Sequence, residues 1–284
     1  MTGGMVSGLP EGSIFADELG FETGRLGAFH LKSVFCPVFR VSSNTLIPSG
    51  VEAAAQAFFN FNPVPLDVLL QTVPGRLHGK VGTLCLLLHI ANAHHIVIDG
   101  FDLYLSCGDV QALGRDGTAE RTALILGRLA EIGISRQSLI CAFSRKAREE
   151  ESSADRVLDP VLASGVRIAV DEFGPAGFDP ACIEAWRPHS VRIDGGWFRR
   201  VIEVDAARRL CAQLVEALQE KGIQISVGGI QTPQQLHAAL EVGVDCVGGP
   251  LFSRPAQGGS FPDFQTLEID AFFREPEKVV IPLR

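Results

Sequence analysis

The feature that most constrains this chain is an alternation of eight short apolar runs with longer stretches of helical period. The runs are Val34–Val41, Pro48–Ala53, Phe101–Ser106, Leu139–Phe143, Arg167–Val170, Ser190–Ile193, Gln224–Val227 and Asp245–Val247. Helical spacing fills Thr118–Ile132, Ser153–Ser164, Asp205–Lys221 and Gln234–Val242. In the third of these, Ala206, Leu210, Leu214 and Leu218 recur every four residues beside Ala207, Cys211 and Val215, which predicts one broad apolar stripe that ends at Gly222. Thr232-Pro233-Gln234-Gln235 reads as a capping box with proline at the first helical position, and Gly243 closes that helix. Pro160 must kink or shorten its helix.

Strands that alternate with helices of this length pair in parallel through right-handed crossovers, and eight of them predict closure. The expected fold is therefore α/β, a TIM-like (β/α)8 barrel, and 284 residues is a normal length for one such unit. The barrel is assigned to residues 31–256. Residues 1–30, rich in glycine, form an N-terminal extension or lead-in helix, and residues 257–284 form a C-terminal appendage.

Charge and cysteine content narrow the function classes. A formal net charge of −8 argues against sequence-independent nucleic-acid binding, which needs clustered positive charge. Arg199-Arg200 with Arg208-Arg209 is the densest basic cluster and reads as a solvated surface. Seven cysteines without a C-x-x-C pair read as reduced, buried side chains rather than a zinc site. The N-terminus lacks the layout of a signal peptide, and the run Leu84–Ile90 is too short to cross a bilayer, so a cytoplasmic protein with no membrane partner is expected.

In a closed α/β barrel, reactive groups sit at the C-terminal ends of the strands. Strand five leaves the barrel as Val170-Asp171-Glu172-Phe173-Gly174, strand six as Val191-Arg192-Ile193-Asp194, and strand two near Glu52-Ala53-Ala54. Adjacent carboxylates at such a strand end are the groups a metal or general-base site supplies.

Together these segments resemble the EAL-domain family, phosphodiesterases that hydrolyse the bacterial messenger cyclic di-GMP. The resemblance runs from about Phe35 to Pro255. It is strongest over Gly165-Val166-Arg167-Ile168-Ala169-Val170-Asp171-Glu172-Phe173-Gly174, similar to the family's G-V-x-I-A-L-D-D-F-G. Arg192-Ile193-Asp194 falls at the family's K-I-D, and Gly248-Gly249-Pro250-Leu251-Phe252-Ser253-Arg254-Pro255 at its Q-G-Y-L-F-S-R-P. The stretch Gly222–Thr232 is similar to the family's G-x-x-V-x-A-E-G-V-E-T.

The resemblance implies a site of two divalent cations held by carboxylates and an asparagine, and it maps that site residue by residue. Glu52 and Asp171 are kept, and the second aspartate of the pair becomes Glu172. The family asparagine falls on Tyr104, the strand-four glutamates on Ala142 and Arg145, the late glutamates on Gly228 and Gln231, and the lysine on Arg192. The phosphate-contacting arginine falls on Gln56, and two substrate-gripping glutamines on Cys36 and Gly248. The loop Glu172–Pro180 also departs from the family's.

Three acids are a poor base for a paired-metal clamp. Arg192 cannot act as a base, and as a fixed cation beside those acids it can substitute electrostatically for a metal. It is expected to pair with Glu52 or Asp171. From these losses, the sequence reads as a catalytically inactive, regulatory EAL-like protein, not an enzyme, acting through a protein partner. No cofactor is expected, and Mg²⁺ or Mn²⁺ binding is expected to be weak or absent. A non-hydrolysing receptor for cyclic di-GMP or another nucleotide is the alternative, an active phosphodiesterase the third reading, and a homodimer is kept open.

Three other features are read as structural. His94-His95 are surface or loop histidines, because neighbours on an element point apart. Tyr104 fills the pocket, and Trp186 and Trp197 pack in the core or at the barrel rim.

Overall fold

A computed structural model describes residues 13–96, 100–144, 157–174, 180–257 and 264–274. All eight apolar runs are strands, and they close a barrel. In chain order the elements begin with β1 (Ile14–Ala16), β2 (Glu22–Leu26), β3 (Phe29–Ser42), β4 (Thr45–Phe59) and β5 (Asn62–Val64). Then come helices α1 (Leu66–Thr72) and α2 (His78–Ala93), strand β6 (Asp102–Asp109), α3 (Val110–Ile132), β7 (Leu139–Ser144) and α4 (Asp159–Ser164). The chain continues through β8 (Arg167–Phe173), α5 (Pro180–Trp186), β9 (Ser190–Ile193), α6 (Gly195–Val201) and α7 (Asp205–Gln219). It ends with β10 (Gln224–Val227), α8 (Pro233–Val242), β11 (Cys246–Gly248), β12 (Ala256–Gln257) and β13 (Leu267–Glu268).

The barrel runs β3-β11-β10-β9-β8-β7-β6-β4 and closes where β4 pairs back onto β3. Seven of the eight strands are parallel, but β3 is antiparallel to both neighbours, β4 and β11. This corrects the expectation of an all-parallel barrel. The reason is chain length: a two-residue connection, with Ser43 at φ 50°, joins Ser42 to Thr45. A parallel crossover needs a dozen residues or more, so the short link forces a hairpin.

Lumen and shell are packed separately. Val38, Ile140, Ala142, Ala169 and Cys246 cluster around the larger Tyr104 and fill the barrel interior. The opposite faces of the strands meet the helices in the main core, where Phe35, Phe39 and Trp186 are fully buried. Close approach matters at Gly50: a Cβ there would lie 2.5 Å from the Asp102 carbonyl oxygen, so β4 can lie against β6 only with glycine.

The helices follow their local signals with two adjustments. In α8 the Thr232 hydroxyl accepts from the Gln235 amide, and Gly243 closes the helix at φ 83°. Pro160 sits in the first turn of α4 rather than kinking its interior, so the described helix starts at Asp159. In α7 the buried residues are Cys211, Val215 and Leu218, whereas Leu210 is exposed. The apolar face is thus narrower than the predicted stripe.

The termini differ more. No helix leads in over residues 13–30. Instead β1 and β2 form a hairpin that pairs onto β3. Asn92 of α2 pins it, with Oδ1 accepting from the Glu22 amide and Nδ2 donating to the Glu22 carbonyl, each at 2.8 Å. At the other end, β12 joins β3 and β13 joins β4. No helix among the described residues is long and apolar enough to cross a membrane.

Candidate functional site

The C-terminal ends of the parallel strands gather the charged residues. Glu52 lies on β4 beside Tyr104 of β6, in register. Asp171 lies on β8 just past Val170, which pairs with Val191, and Arg192 is the next residue of β9. Between Val170 and Phe173 the register slips, and Glu172 takes a positive φ of 54°. The bulge therefore handles the two adjacent acids differently: Asp171 is turned into the cluster while Glu172 is left exposed. The Asp171 Oδ1 also accepts from the Glu172 amide at 3.0 Å.

Arg192 is the centre of the mouth. Its guanidinium donates to Glu52 through one terminal nitrogen and lies 3.4 Å from Asp171 Oδ2 through the other. It also sits 5.9 Å from the centre of the Tyr104 ring, over its face. Burial alone would lower this guanidinium, but Glu52 and then Asp171 more than offset that and hold it above its ordinary value. The expected ion pair is present and joins both acids rather than one.

The remaining positions are dispersed. Tyr104 is buried in the lumen, its phenol pushed upward chiefly by burial, and Ala142 lies beside it. Cys36, opposite Glu52 on the hairpin, is half-buried, and burial and then Glu52 raise its thiol to about 11. Gln56 does not face the mouth freely, since its Nε2 donates to the carbonyls of Ala57 and Val64 at 3.0 Å each. The Gly228 carbonyl is approached so closely by Gly195 that a Cβ there would lie 2.4 Å away. Gly248 accepts from the Ile230 amide at 3.0 Å. Gln231 is exposed, its amide bonded to Gln235 Oε1 at 2.7 Å. Arg145 and residues 175–179 of the loop after Glu172 lie outside the described residues.

As placed, this donor set does not fit a pair of divalent cations. Each ion needs several oxygen ligands, usually with more than one carboxylate. Here the two inward carboxylates already bond a guanidinium, and Tyr104, Ala142 and Gly228 add no carboxylate. Among the described residues no group of three or more His, Cys, Asp and Glu side chains is arranged to hold a metal.

Sequence reasoning missed the charges at the opposite end of the barrel. Arg167 at the start of β8 pairs with Asp102 at the start of β6 and lies 3.1 Å from His189 Nε2. Burial, then Arg167, lowers that histidine. A group at the N-terminal ends of the strands serves stability rather than chemistry. His94 is exposed, and His95 packs against Phe21 at 4.3 Å between ring centres. Trp186 is core, and Trp197 packs on Gly174 and Phe173.

The model of the EAL domain family matches residues 30–255. Among curated relatives, the signalling protein YkoW of Bacillus subtilis is 22% identical over 109 residues, covering 38% of this chain and 14% of that protein. The probable cyclic di-GMP phosphodiesterase PdeD of Escherichia coli is 27% identical over 108 residues, covering 38% of this chain and 20% of that one. The chain therefore matches a fifth or less of either relative's length. A standalone versatile EAL protein of Vibrio cholerae, solved with cyclic di-GMP bound, superposes with a TM-score of 0.69. It is 17% identical and covers 85% of this chain and 98% of its own. Klebsiella pneumoniae BlrP1, solved with calcium and cyclic di-GMP, gives a TM-score of 0.68 at 15% identity, over 84% of this chain and 59% of its own. These findings overturn one expectation: the chain was read as not an enzyme because so many site residues are altered, yet its family includes cyclic di-GMP phosphodiesterases and points to an enzyme. The EAL family motifs, the closed barrel with its one antiparallel strand, and the matched span agree: this chain belongs to the EAL domain family.

Proposed function

We propose that the chain receives cyclic di-GMP at the C-terminal mouth of its barrel, with hydrolysis of the dinucleotide as the activity its family points to and Arg192 as the residue that limits it. The observation that carries this reading is the Arg192 pair with Glu52 and Asp171, at the strand ends where α/β barrels do their chemistry. Solved neighbours of the same fold hold cyclic di-GMP, which supports the choice of ligand.

Arg192 has two consequences under this reading. It supplies fixed positive charge to a mouth that a dianionic ligand must enter, and it competes with divalent cations for Glu52 and Asp171. Mg²⁺ or Mn²⁺ affinity should therefore be weak, and turnover slow. In this chain's own terms, Tyr104 closes the floor of the mouth, and Arg192 neutralises the acids that would otherwise repel phosphate. The output is proposed to pass to a protein partner. A surface groove lined by Ile202, Arg208, His237, Glu241 and Phe273, next to exposed Val204, offers apolar and charged groups for one.

The test is calorimetric titration with cyclic di-GMP to high micromolar concentration, with and without Mn²⁺, followed by chromatography of the same samples. Saturable heat without metal, with slow product formation when Mn²⁺ is added, is the expected result. Silence in both measurements would overturn the reading.

A further inference from the structure

The hairpin of β3 and β4 does not stop at the barrel rim. Beyond Glu52, β4 runs on through Phe59 while β3 pairs with it back to Phe29. At about 3.3 Å per residue, this part of the ribbon rises roughly 20 Å past the mouth. Opposed pairs in an antiparallel ladder share a face, and faces alternate along each strand. Cys36 with Glu52, Val34 with Ala54, Lys32 with Gln56 and His30 with Phe58 therefore line one face, the one that carries Val38 into the lumen lower down. The other face is closed by α1 and α2, where Phe29, Leu31 and Ala57 pack on Leu69, Val81, Leu84 and Leu88. The face above the mouth stays open: Lys32 and Ala54 are exposed, and His30, Val34, Gln56 and Phe58 only partly covered.

Three properties of this open face are unlike the rest of the molecule. First, it is cationic in an acidic protein, since Lys32, and Arg25 opposite His30 on β2, face Glu52 as the one acid between residues 23 and 66. Second, Lys32 pairs with no carboxylate among the described residues; its ammonium rests 5.6 Å from the centre of the Phe58 ring. That contact holds the lysine in place without neutralising it. Third, aromatic rings gather there. Phe61 is 90% exposed at the tip of a turn in which Asn60 and Phe61 both take positive φ, 49° and 67°. A bulky side chain is uncommon in that conformation. His30 stacks on Phe61, with ring planes 15° apart.

We propose that this face is an outer subsite for the phosphate and base of a purine nucleotide: Lys32 leaves the Phe58 ring to bind the phosphate, and the ring it uncovers is the stacking platform. Lys32 lies directly across the ladder from Gln56, whose amide is committed to the Ala57 and Val64 carbonyls. A cation is thus supplied at that level of the ribbon from the opposite strand, about 13 Å along β4 from Glu52. Protein sites commonly read nucleotides through a positive group on phosphate and an aromatic face on the base. This inference rests on the binding reading above and adds two specificity-determining residues to it.

The experiment measures cyclic di-GMP affinity at low and moderate salt for the full chain and for Lys32→Ala, Lys32→Arg, Phe58→Ala and Lys221→Ala. Lys221 is exposed at the far end of α7 and serves as control. Lys32→Ala should weaken binding about tenfold and flatten its salt dependence, and Lys32→Arg should restore most of it. Phe58→Ala should weaken binding about fivefold at both salts, and Lys221→Ala should match the parent. If the parent binds and both Lys32→Ala and Phe58→Ala stay within twofold of it, this inference is overturned while the binding reading stands. If the parent itself does not bind, the binding reading falls and takes this inference with it.

Discussion

The two halves of the β3–β4 hairpin are made of the same strands and behave differently. The lower half, Phe35–Val41 against Leu46–Ala53, is part of the barrel wall, with the lumen cluster on one side and the helical core on the other. The upper half, Phe29–Val34 against Ala54–Phe59, is covered on one face only. Burial on both sides commits the lower half to packing. The open face above is where a side chain such as Lys32 is exposed and remains available to a ligand. The fold thus separates scaffold from recognition along one pair of strands, with the Glu52–Arg192–Asp171 cluster at the boundary.

That contrast can be broken by substitution, beginning with the largest effect. Phe35→Ala removes a fully buried ring from the lower half and should cost about 3–5 kcal/mol in denaturant unfolding. Phe58→Ala on the open face should cost less than about 1 kcal/mol. Equal losses would mean that the upper half is as tightly packed as the lower. At the boundary, Arg192→Ala leaves Asp171 and the half-buried Glu52 without their cation. With Glu52 partly in solvent, the loss should be about 2 kcal/mol, read by thermal or urea unfolding, and added Mn²⁺ should recover part of it.

The anchoring of the upper half to α2 gives a pH-dependent prediction. His89 is fully buried, with Nδ1 2.9 Å from the Ser33 hydroxyl, and burial lowers its pKa from 6.5 to about 4. The unfolded chain therefore binds this proton more readily than the folded one between those values. The contribution of His89 is fully present above pH 6.5 and is lost as pH falls from 6.5 towards 4, by up to roughly 3 kcal/mol. His89→Gln should remove that part of the acid slope, measured as the difference between parent and variant in urea midpoints at pH 7 and pH 5. A more local effect belongs to Asn92→Ala, which frees the β1–β2 hairpin from α2. It should cost about 1–2 kcal/mol and raise amide exchange at Gly24 and Arg25 before that of the barrel.

The same contrast explains what could be read from the residues alone. Strands buried on both faces are continuous apolar runs, and all eight were legible as such. Strand direction was not, because an apolar run reads alike in either orientation. The missing clue was the six-residue gap between Val41 and Pro48, too short for a helical crossover. The upper ribbon alternates instead, with Leu31, Ser33 and Phe35 on one side and His30, Lys32 and Val34 on the other. The glycine-rich composition of residues 1–30 places the start of this ribbon, Phe29 and His30, in an extension rather than in the strand. At the mouth, motif positions located Glu52, Asp171 and Arg192, and charge alone predicted their pairing. Lys32 was passed over because a single lysine in a strand carries no pattern; only the register that sets it opposite Gln56 gives it meaning.

The central claim is that Arg192 holds the two acids that a cation would need. It is tested most directly by titrating Mn²⁺ into the parent and into Arg192→Ala by calorimetry at neutral pH. The account predicts weak uptake by the parent and at least tenfold tighter binding by the variant, since the carboxylate oxygens of Glu52 and Asp171 no longer bond a guanidinium and the fixed positive charge beside them is gone. Tight Mn²⁺ binding by the parent, unchanged in Arg192→Ala, would contradict it.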